Sequence, residues 1–156
     1  MTIRRGEPAD APVAAEVWLR SRKASVPAIP APVHDDDEVR AYFAGHVVGN
    51  CELWLAEDAG AVVGVLVLGG DWVDQLYVDP SRWGRGIGSA LLDVAKRERP
   101  GGLRLWTFAG NSGARRFYER HGFVEGARTD GDNEEGAPDV LYVFSAVARG
   151  DVRPGQ

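Results

Sequence analysis

The sequence predicts a mixed α+β domain, and two observations lead to that class. The elements do not alternate strictly, because one strand and two helices are followed by a meander of strands, then by βα segments and a final hairpin. The turn at 58–60 joins two β-rich runs directly, which is typical of an antiparallel hairpin. A doubly wound parallel sheet is therefore not expected, because it would need a helix after nearly every strand.

The first half of the chain predicts one strand, two helices and a meander of three strands. Residues 2–5 form a short strand, and Asp10 is a typical N-cap for a helix that runs towards Ser25. A proline-rich loop follows. A second helix begins with the acidic run 35–38, whose carboxylates favour a helix N-terminus, and it ends near Val48. The strands of the meander are residues 52–57, 61–68 and 72–78.

The second half predicts two helices and three more strands. The first of these helices follows a glycine-rich turn and ends near Arg99, where Pro100 and two glycines stop it. The second helix is short and begins after an N-cap at Asn111 or Ser112. The remaining elements are a strand over 103–108, this helix over 114–121, strands over 123–128 and 140–147, and an acidic loop over 130–139 between the last two strands.

Length and composition are those of one globular domain. The chain has 156 residues, of which 44% are hydrophobic and 26% are charged. We expect a single domain over residues 1–148 and a flexible C-terminal tail over 149–156. A formal net charge of −5 disfavours nucleic acid as a general partner. Exposed strand edges at the ends of the sheet would allow a homodimer.

Further features exclude several classes of protein. Cys51 is the only cysteine, so no intrachain disulfide is expected, and no Cys or His spacing suits a metal site. The longest apolar run, 61–68, is too short to span a bilayer. The N-terminus lacks the apolar segment of a signal peptide. We therefore expect a cytoplasmic protein that binds neither a metal nor a membrane.

The turn from Trp83 to Gly88 is the strongest functional signal. Apolar residues after it recur at helical spacing, so the turn opens a helix, and backbone N–H groups at such a helix start favour an anion, most often phosphate. Its GxGxG spacing after a fourth strand matches neither the dinucleotide fingerprint nor a Walker A turn. A plain strand-to-helix connection is the alternative, but three glycines in five residues would then cost chain entropy without a reason.

Three segments within residues 72–123 together resemble the GNAT superfamily of acyl-CoA-dependent N-acetyltransferases. The turn is similar to the family's [Gln/Arg]-x-x-Gly-x-[Gly/Ala], with Trp83 in place of the first residue. Residues 111–123 are similar to the family's N-x-x-A-x-x-F-Y-x-x-x-G-F run at every named position, and 74–80 resemble the strand before the turn. The resemblance implies a mostly antiparallel, twisted central sheet of about seven strands flanked by about four helices.

The resemblance also implies that acetyl-CoA is the co-substrate. Backbone N–H groups of the turn, with the Ser89 hydroxyl, would hold its diphosphate. Backbone N–H groups of Leu76 and Val78 would contact the thioester and pantetheine like an oxyanion hole, although an ordinary paired strand is the alternative. Asn111 would cap its helix, contact CoA, or do both. The residues expected to bind the cofactor are Leu76, Val78, Trp83, Gly84, Arg85, Gly86, Gly88, Ser89, Asn111 and Tyr118.

Tyr118 lies where the family places its general acid, which protonates the departing thiolate; the alternative is a core aromatic residue with a hydrogen-bonded tip. The acceptor ammonium must also lose a proton. Asp74 is the first candidate base or water relay, because it lies on the strand that should pass the thioester, and Glu52 is the alternative base. Each could instead be a solvated surface carboxylate. Further candidates are Asp71, His46 and His34.

These observations predict an N-acetyltransferase that moves an acetyl group from acetyl-CoA to a primary amine, in a small molecule or a peptide, by direct transfer in a ternary complex. An acyl-cysteine route is disfavoured, because Cys51 lies outside the motifs. The alternative is a non-catalytic acyl-CoA-binding sensor or partner module with the same fold. The acidic segments 35–38 and 130–139 could attract a cationic amine, and Trp18, Trp72 and Trp106 could line an apolar pocket or belong to the core.

Overall fold

A computed structural model describes residues 1–145 of the chain, and seven strands in this range form one sheet in the order β1-β2-β3-β4-β5-β7-β6. Neighbouring strands are antiparallel except β4 and β5, which are parallel. The predicted α+β class is confirmed. The strands are β1 Thr2–Arg5, β2 Glu52–Asp58, β3 Ala61–Gly69, β4 Trp72–Val78, β5 Leu103–Phe108, β6 Val124–Thr129 and β7 Asp139–Phe144.

Four helices flank this sheet, as expected. Between α2 and β2 the helical path continues through a π-helical segment, Phe43–Val47, and a short turn, Val48–Asn50, so the second predicted helix is not uniform. The last residues predicted for the final strand, and the predicted tail over 149–156, lie outside the described residues. The helices are α1 Ala11–Ala24, α2 Asp36–Tyr42, α3 Ile87–Glu98 and α4 Ser112–Arg120.

Acidic residues define the starts of the first two helices in different ways. At α2, Asp35 and Glu38 form a reciprocal capping box, in which each carboxylate accepts from the other residue's backbone N–H at 2.8 and 2.9 Å. Asp10 occupies the N-cap position of α1 as predicted, but its carboxylate accepts from Glu7 N–H and from Arg4 instead. The hydrogen bonds from Arg4 lower the pKa of Asp10 to about 2, and this ion pair ties the helix start to β1.

Two apolar cores lie on opposite faces of the sheet. One face of β2 to β4 packs on α1 and α2, and the other face packs on α3 and, through β5 and β7, on α4. Along β3, Val65 and Val67 belong to the first core, whereas Leu66 and Leu68 belong to the second. Because β3 is buried on both faces, its sequence is a continuous apolar run rather than an alternating one.

The sheet divides between β4 and β5. Within the described chain the parallel ladder has a single rung, Trp72 opposite Arg104, supported by a 2.9 Å hydrogen bond from Arg104 N–H to Asp71 O. Beyond this rung the strands separate, and a cleft opens between residues 73–78 and 105–108. The rest of the fold places loops and helix ends around that cleft.

Gly64 allows α3 to lie close to the sheet. A Cβ atom at this position would come within 2.9 Å of Leu91 Cδ1 and 3.1 Å of Ile87 Cγ2, both on α3. It would also lie 3.2 Å from Ala56 Cβ on the neighbouring strand. The absence of a side chain therefore sets the distance between β3 and the N-terminal half of α3.

We expect Gly64→Ala to destabilise the fold by about 1–3 kcal/mol, because the added methyl overpacks the helix–sheet contact. Thermal unfolding followed by circular dichroism should show a midpoint lower by about 2–10 °C. Gly49→Ala is the matched control, since a Cβ there would meet no atom within 4 Å. Equal midpoints for the two variants would contradict the close approach of α3.

Candidate active site

The cleft between β4 and β5 has a volume of about 1310 Å³. Its walls come from the two strands, the glycine-rich turn before α3, α4, the loop after α1 and the loop between β6 and β7. These segments are far apart in the sequence, so the cleft forms only when the sheet is assembled. Most of the residues predicted to bind or react line it.

The glycine-rich turn has the backbone geometry of an anion-binding loop. Gly84 and Gly86 have φ values of 77° and 80°, in the left-handed region that favours glycine, and Gly86 is the N-cap of α3. The first N–H groups of α3, including those of Gly88 and Ser89, have no acceptor within the helix. The turn therefore presents a set of backbone donors to the cleft, which Gly84, Gly86, Gly88 and Ser89 line.

Trp83 is half-exposed and serves as a structural tie. Its indole Nε1–H donates to Val78 O at 2.8 Å, and so joins the turn to the end of β4. Arg85 does not line the cleft, and Arg82, which does, is paired with Asp58 at 3.0 Å. Around this turn, the groups free to face the cleft are therefore the backbone N–H groups and not the arginine side chains.

Ser89 has a partner that sequence reasoning missed. Its hydroxyl lies 3.0 Å from His121 Nε2, at the end of α4. Burial lowers the pKa of His121, and the nearby Lys96 and Arg120 lower it further, so the neutral imidazole is favoured. His121 falls within the 111–123 motif, but at a position the motif leaves open, so no signal in the sequence marked it.

The N–H groups of Leu76 and Val78 point into the gap between β4 and β5. Asp79 N–H donates to Val63 O at 2.8 Å, and bonded pairs alternate along an antiparallel ladder. Tyr77 is therefore the next residue bonded to β3, and Leu76 and Val78 are not. The bond from Trp83 to Val78 O agrees with this direction, because that oxygen also faces away from β3.

A β-bulge places Asp74 at the cleft. The register between β3 and β4 steps from Val67–Gln75 to Leu68–Val73, which leaves Asp74 as the extra residue. Asp74 is exposed and lines the cleft, and its carboxylate lies 4.0 Å from Cys51 Sγ. Partial desolvation raises the pKa of Asp74, and the nearby His46 opposes this shift. The next residue, Gln75, accepts a hydrogen bond from the Trp18 indole at 2.8 Å.

Tyr118 lies in the cleft wall with a free hydroxyl. Its ring is buried and packs edge-on against Phe117 and Phe123 at 5.2 and 5.5 Å. Among residues 1–145 its hydroxyl has no hydrogen-bond partner, which argues against a core residue with a satisfied tip. Burial raises the pKa of Tyr118, and the neighbouring Tyr77 adds to the shift, so the hydroxyl keeps its proton.

Asn111 caps α4, as predicted. Its Oδ1 atom accepts from Ala114 N–H at 3.1 Å, and the residue also lines the cleft. The cap fixes the start of the helix, and Tyr118 lies about two turns further along it.

The structure does not bring Glu52 to the cleft. Its carboxylate accepts from Trp54 Nε1 at 2.7 Å and from Arg99 at 3.2 Å. Burial favours a higher pKa for Glu52, but these two hydrogen bonds and the charge of Arg99 outweigh it, and the pKa is lowered. Glu52 is thus a paired carboxylate outside the cleft, whereas Asp74 lies inside it.

The remaining candidate bases also lie outside the cleft. Asp71 pairs with Arg104 at 2.9 Å, and His34 lies between Glu134 and Glu38. His46 stacks on Tyr42, with ring centroids 5.4 Å apart. Trp18, Trp72 and Trp106 are the candidates to line an apolar pocket. Of these, Trp18 is buried in the core and Trp106 lines the cleft.

Comparison with known proteins identifies the class. Residues 49–125 match the family model of an acetyltransferase (GNAT) domain. The chain is 32% identical to the peptidyl-lysine N-acetyltransferase YiaC of Escherichia coli, over 78% of this chain and 82% of that protein. It is 35% identical to a probable N-acetyltransferase of Mycobacterium tuberculosis, and spans about half (51%) of that relative's length. The chain belongs to the GNAT superfamily of acyltransferases.

Solved structures share the fold. The apo form of YjaB from Escherichia coli superimposes with a TM-score of 0.73 at 24% identity, over 92% of this chain and 96% of that one. The structure of yncA from Salmonella typhimurium, solved with its cofactor acetyl-CoA, gives a TM-score of 0.70 at 20% identity, over 94% of each chain. The predicted seven-stranded sheet with four helices is therefore confirmed as the fold of this family.

Residues 1–145 show neither a metal-binding cluster nor a membrane-spanning helix. No cluster of three or more His, Cys, Asp or Glu side chains in this range is arranged to hold a metal ion. None of the helices in the same range combines the length and the apolar character needed to cross a bilayer.

We expect Gly86→Ala to destabilise the protein by about 1–2 kcal/mol, because an L-residue is strained in the left-handed conformation of this N-cap. Chemical denaturation measures the loss. Gly113→Ala is the control, since its φ is ordinary and the nearest atom to an added Cβ is 3.9 Å away. If both variants were equally stable, the left-handed geometry of the turn would be wrong.

Proposed function

We propose that this protein transfers the acetyl group of acetyl-CoA directly to a primary amine in a ternary complex. The observation that carries the proposal is the separation of β4 from β5, which exposes the N–H groups of Leu76 and Val78 in the same cleft as the Tyr118 hydroxyl. The name of YiaC, a peptidyl-lysine N-acetyltransferase, supports an amine acceptor. The acetyl-CoA held by yncA supports the donor.

The residues around the turn fit a CoA diphosphate. Two left-handed glycines shape a loop that no side chain fills, and the first N–H groups of α3 point out of the helix as phosphate donors. The Ser89 hydroxyl and the Asn111 amide lie on the same wall and can add polar contacts. Acetyl-CoA would supply the reactive thioester, and these residues of the protein would hold and orient the cofactor.

The exposed backbone of β4 would polarise that thioester. As the amine attacks, negative charge grows on the carbonyl oxygen, and fixed N–H donors of Leu76 and Val78 stabilise it without reorganising. These N–H groups have no strand partner to give up, because β5 diverges where it would otherwise pair with them. This is electrostatic preorganisation provided by the sheet itself.

Two side chains then move protons in opposite directions. Asp74, ionised, accepts the proton that the ammonium must lose before its nitrogen can attack, directly or through a water. Tyr118, kept protonated by burial, donates to the sulfur as the C–S bond breaks. Attack leaves the nitrogen with one further proton to lose. That proton passes through water to the Tyr118 phenolate left when the C–S bond breaks, so the products are the amide, the CoA thiol and a protonated Asp74.

We expect Tyr118→Phe to lower kcat by about 10²-fold while leaving the Kd of acetyl-CoA unchanged, since the hydroxyl acts only on the leaving group. The measurement is CoA release over a panel of primary amines, with a hydrolysis blank. Tyr142→Phe is the control, because its hydroxyl bonds Arg115 and Glu119 outside the cleft.

Two outcomes of that assay would count against the proposal. Unchanged kcat in Tyr118→Phe would remove Tyr118 from the role of general acid. If the wild-type protein bound acetyl-CoA but released CoA no faster with any amine than in the blank, a non-catalytic binding module would replace the enzyme.

Asp74 should set the acid limb of the pH profile of kcat. A base works only when ionised, so activity rises as the pH increases through its pKa, and desolvation places that pKa above the ordinary value of 3.8. Asp74→Asn should lower kcat and remove this limb, whereas Glu52→Gln should keep it. A limb that survived in Asp74→Asn and vanished in Glu52→Gln would reverse the assignment.

A further inference from the structure

Trp106 is a large exposed side chain in the cleft wall that the proposed reaction does not use. It lies on β5, is 44% exposed, and lines the cleft beside β4. Among residues 1–145 its indole N–H has no hydrogen-bond partner. An exposed tryptophan inside a concave site is a common feature of ligand contact surfaces.

The side chain of Trp106 points to the α1 side of the sheet. Leu103 and Leu105 are buried in the core under α3 and α4, so alternation places Trp106 on the opposite face. Its neighbours on that face agree, because the Phe108 ring lies 5.9 Å from the guanidinium of Arg22 on α1. Arg104 also stacks there over Trp72 at 4.4 Å.

The acetyl donor, acetyl-CoA, and the acceptor amine are expected on different faces of the sheet. The glycine-rich turn opens α3 and Tyr118 lies on α4, and both helices pack on the face away from α1. Acetyl-CoA held by the glycine-rich turn therefore enters the gap between β4 and β5 from that face. The α1 face, which carries Trp106, is left for the acceptor.

Trp106 and Asp74 flank the opening where the strands part. The last rung joins Trp72 and Arg104, and each of the two residues lies two positions beyond it on its own strand. The Asp74 carboxylate is also on the α1 side, because it lies against Cys51, which packs on the core beneath α1 and α2. The Trp106 ring and the Asp74 carboxylate thus border the same opening between β4 and β5, on the α1 side of the sheet.

Carboxylates outnumber basic side chains around this opening, where Arg22 and Arg104 are the cations on the same face. Asp139 pairs in register with Phe108 beside Trp106, and the loop before it adds two more carboxylates. The arginines that line the cleft are Arg82, before the glycine-rich turn, and Arg120, on α4. Arg22 lies 4.0 Å from the carboxylate of Glu135 in the loop. The lining carboxylic acids are Asp74, Asp132, Glu135 and Asp139. Such a field favours a cation.

We propose that Trp106 binds the acceptor and selects an unbranched alkylammonium chain, which is the chemistry of a lysine side chain. The methylene groups pack on the indole face, the ammonium is attracted by the ring and the carboxylates, and its nitrogen reaches Asp74. An α-amino group has no such chain to cover the ring. This inference rests on the proposed acetyl transfer to an amine.

The test compares Trp106→Ala and Trp106→Phe with wild type on two acceptors, Nα-acetyl-lysine methylamide and alanine methylamide. Trp106→Ala should raise the KM of the lysine probe by about tenfold and leave that of acetyl-CoA unchanged, because only the aromatic face is lost. Trp106→Phe should keep most of the affinity. Val124→Ala, which removes an exposed apolar side chain outside the cleft, is the control.

A second measurement does not depend on turnover. The indole ¹H–¹⁵N signal of Trp106, identified by its absence from Trp106→Phe, should shift when CoA-saturated protein is titrated with the lysine probe, and not with the alanine probe. A shift without acetyl transfer would overturn the proposed function and keep the role of Trp106. An unresponsive signal, or an unchanged KM in Trp106→Ala, would overturn the role of Trp106 alone.

Discussion

Strands β4 and β5 share one rung of their ladder, between Trp72 and Arg104, and the proposed chemistry depends on their separation beyond it. A continuous sheet would pair the N–H groups of Leu76 and Val78 with β5 and leave no space for a substrate. Because the strands part, these donors face a cleft of about 1310 Å³. The same gap gives Tyr118 a free hydroxyl and gives Asp74 access from the opposite face.

The two cores fix the positions of the strands on either side of that gap. On one face α1 and α2 pack on β2 to β4, and on the other face a single core joins β3, β4 and α3 to β5, β7 and α4. Gly64 lets α3 lie close to β3, and the Trp83 indole ties the turn before α3 to the end of β4. The positions of the glycine-rich turn and of the exposed strand are therefore coupled through one short segment.

Much of the fold could be predicted because its signals are local. The β-rich runs, the hairpin turn and the apolar spacing of α3 each follow from neighbouring residues, and the motif at 111–123 contains both the Asn111 cap and Tyr118. The candidate base was harder, because nothing local separates one exposed carboxylate from another. Asp74 lies in the cleft through a bulge, and Glu52 is held by Arg99, 47 residues away.

By itself, the sequence determined the α+β class, the glycine-rich turn at the start of a helix, and the family, because each depends on short-range spacing. Only the tertiary structure decided which groups meet. The direction of the Leu76 and Val78 N–H groups depends on the register with β3, and the place of Trp106 beside Asp74 depends on where β4 and β5 diverge. Register and divergence arise from contacts between distant segments, which residue spacing does not encode.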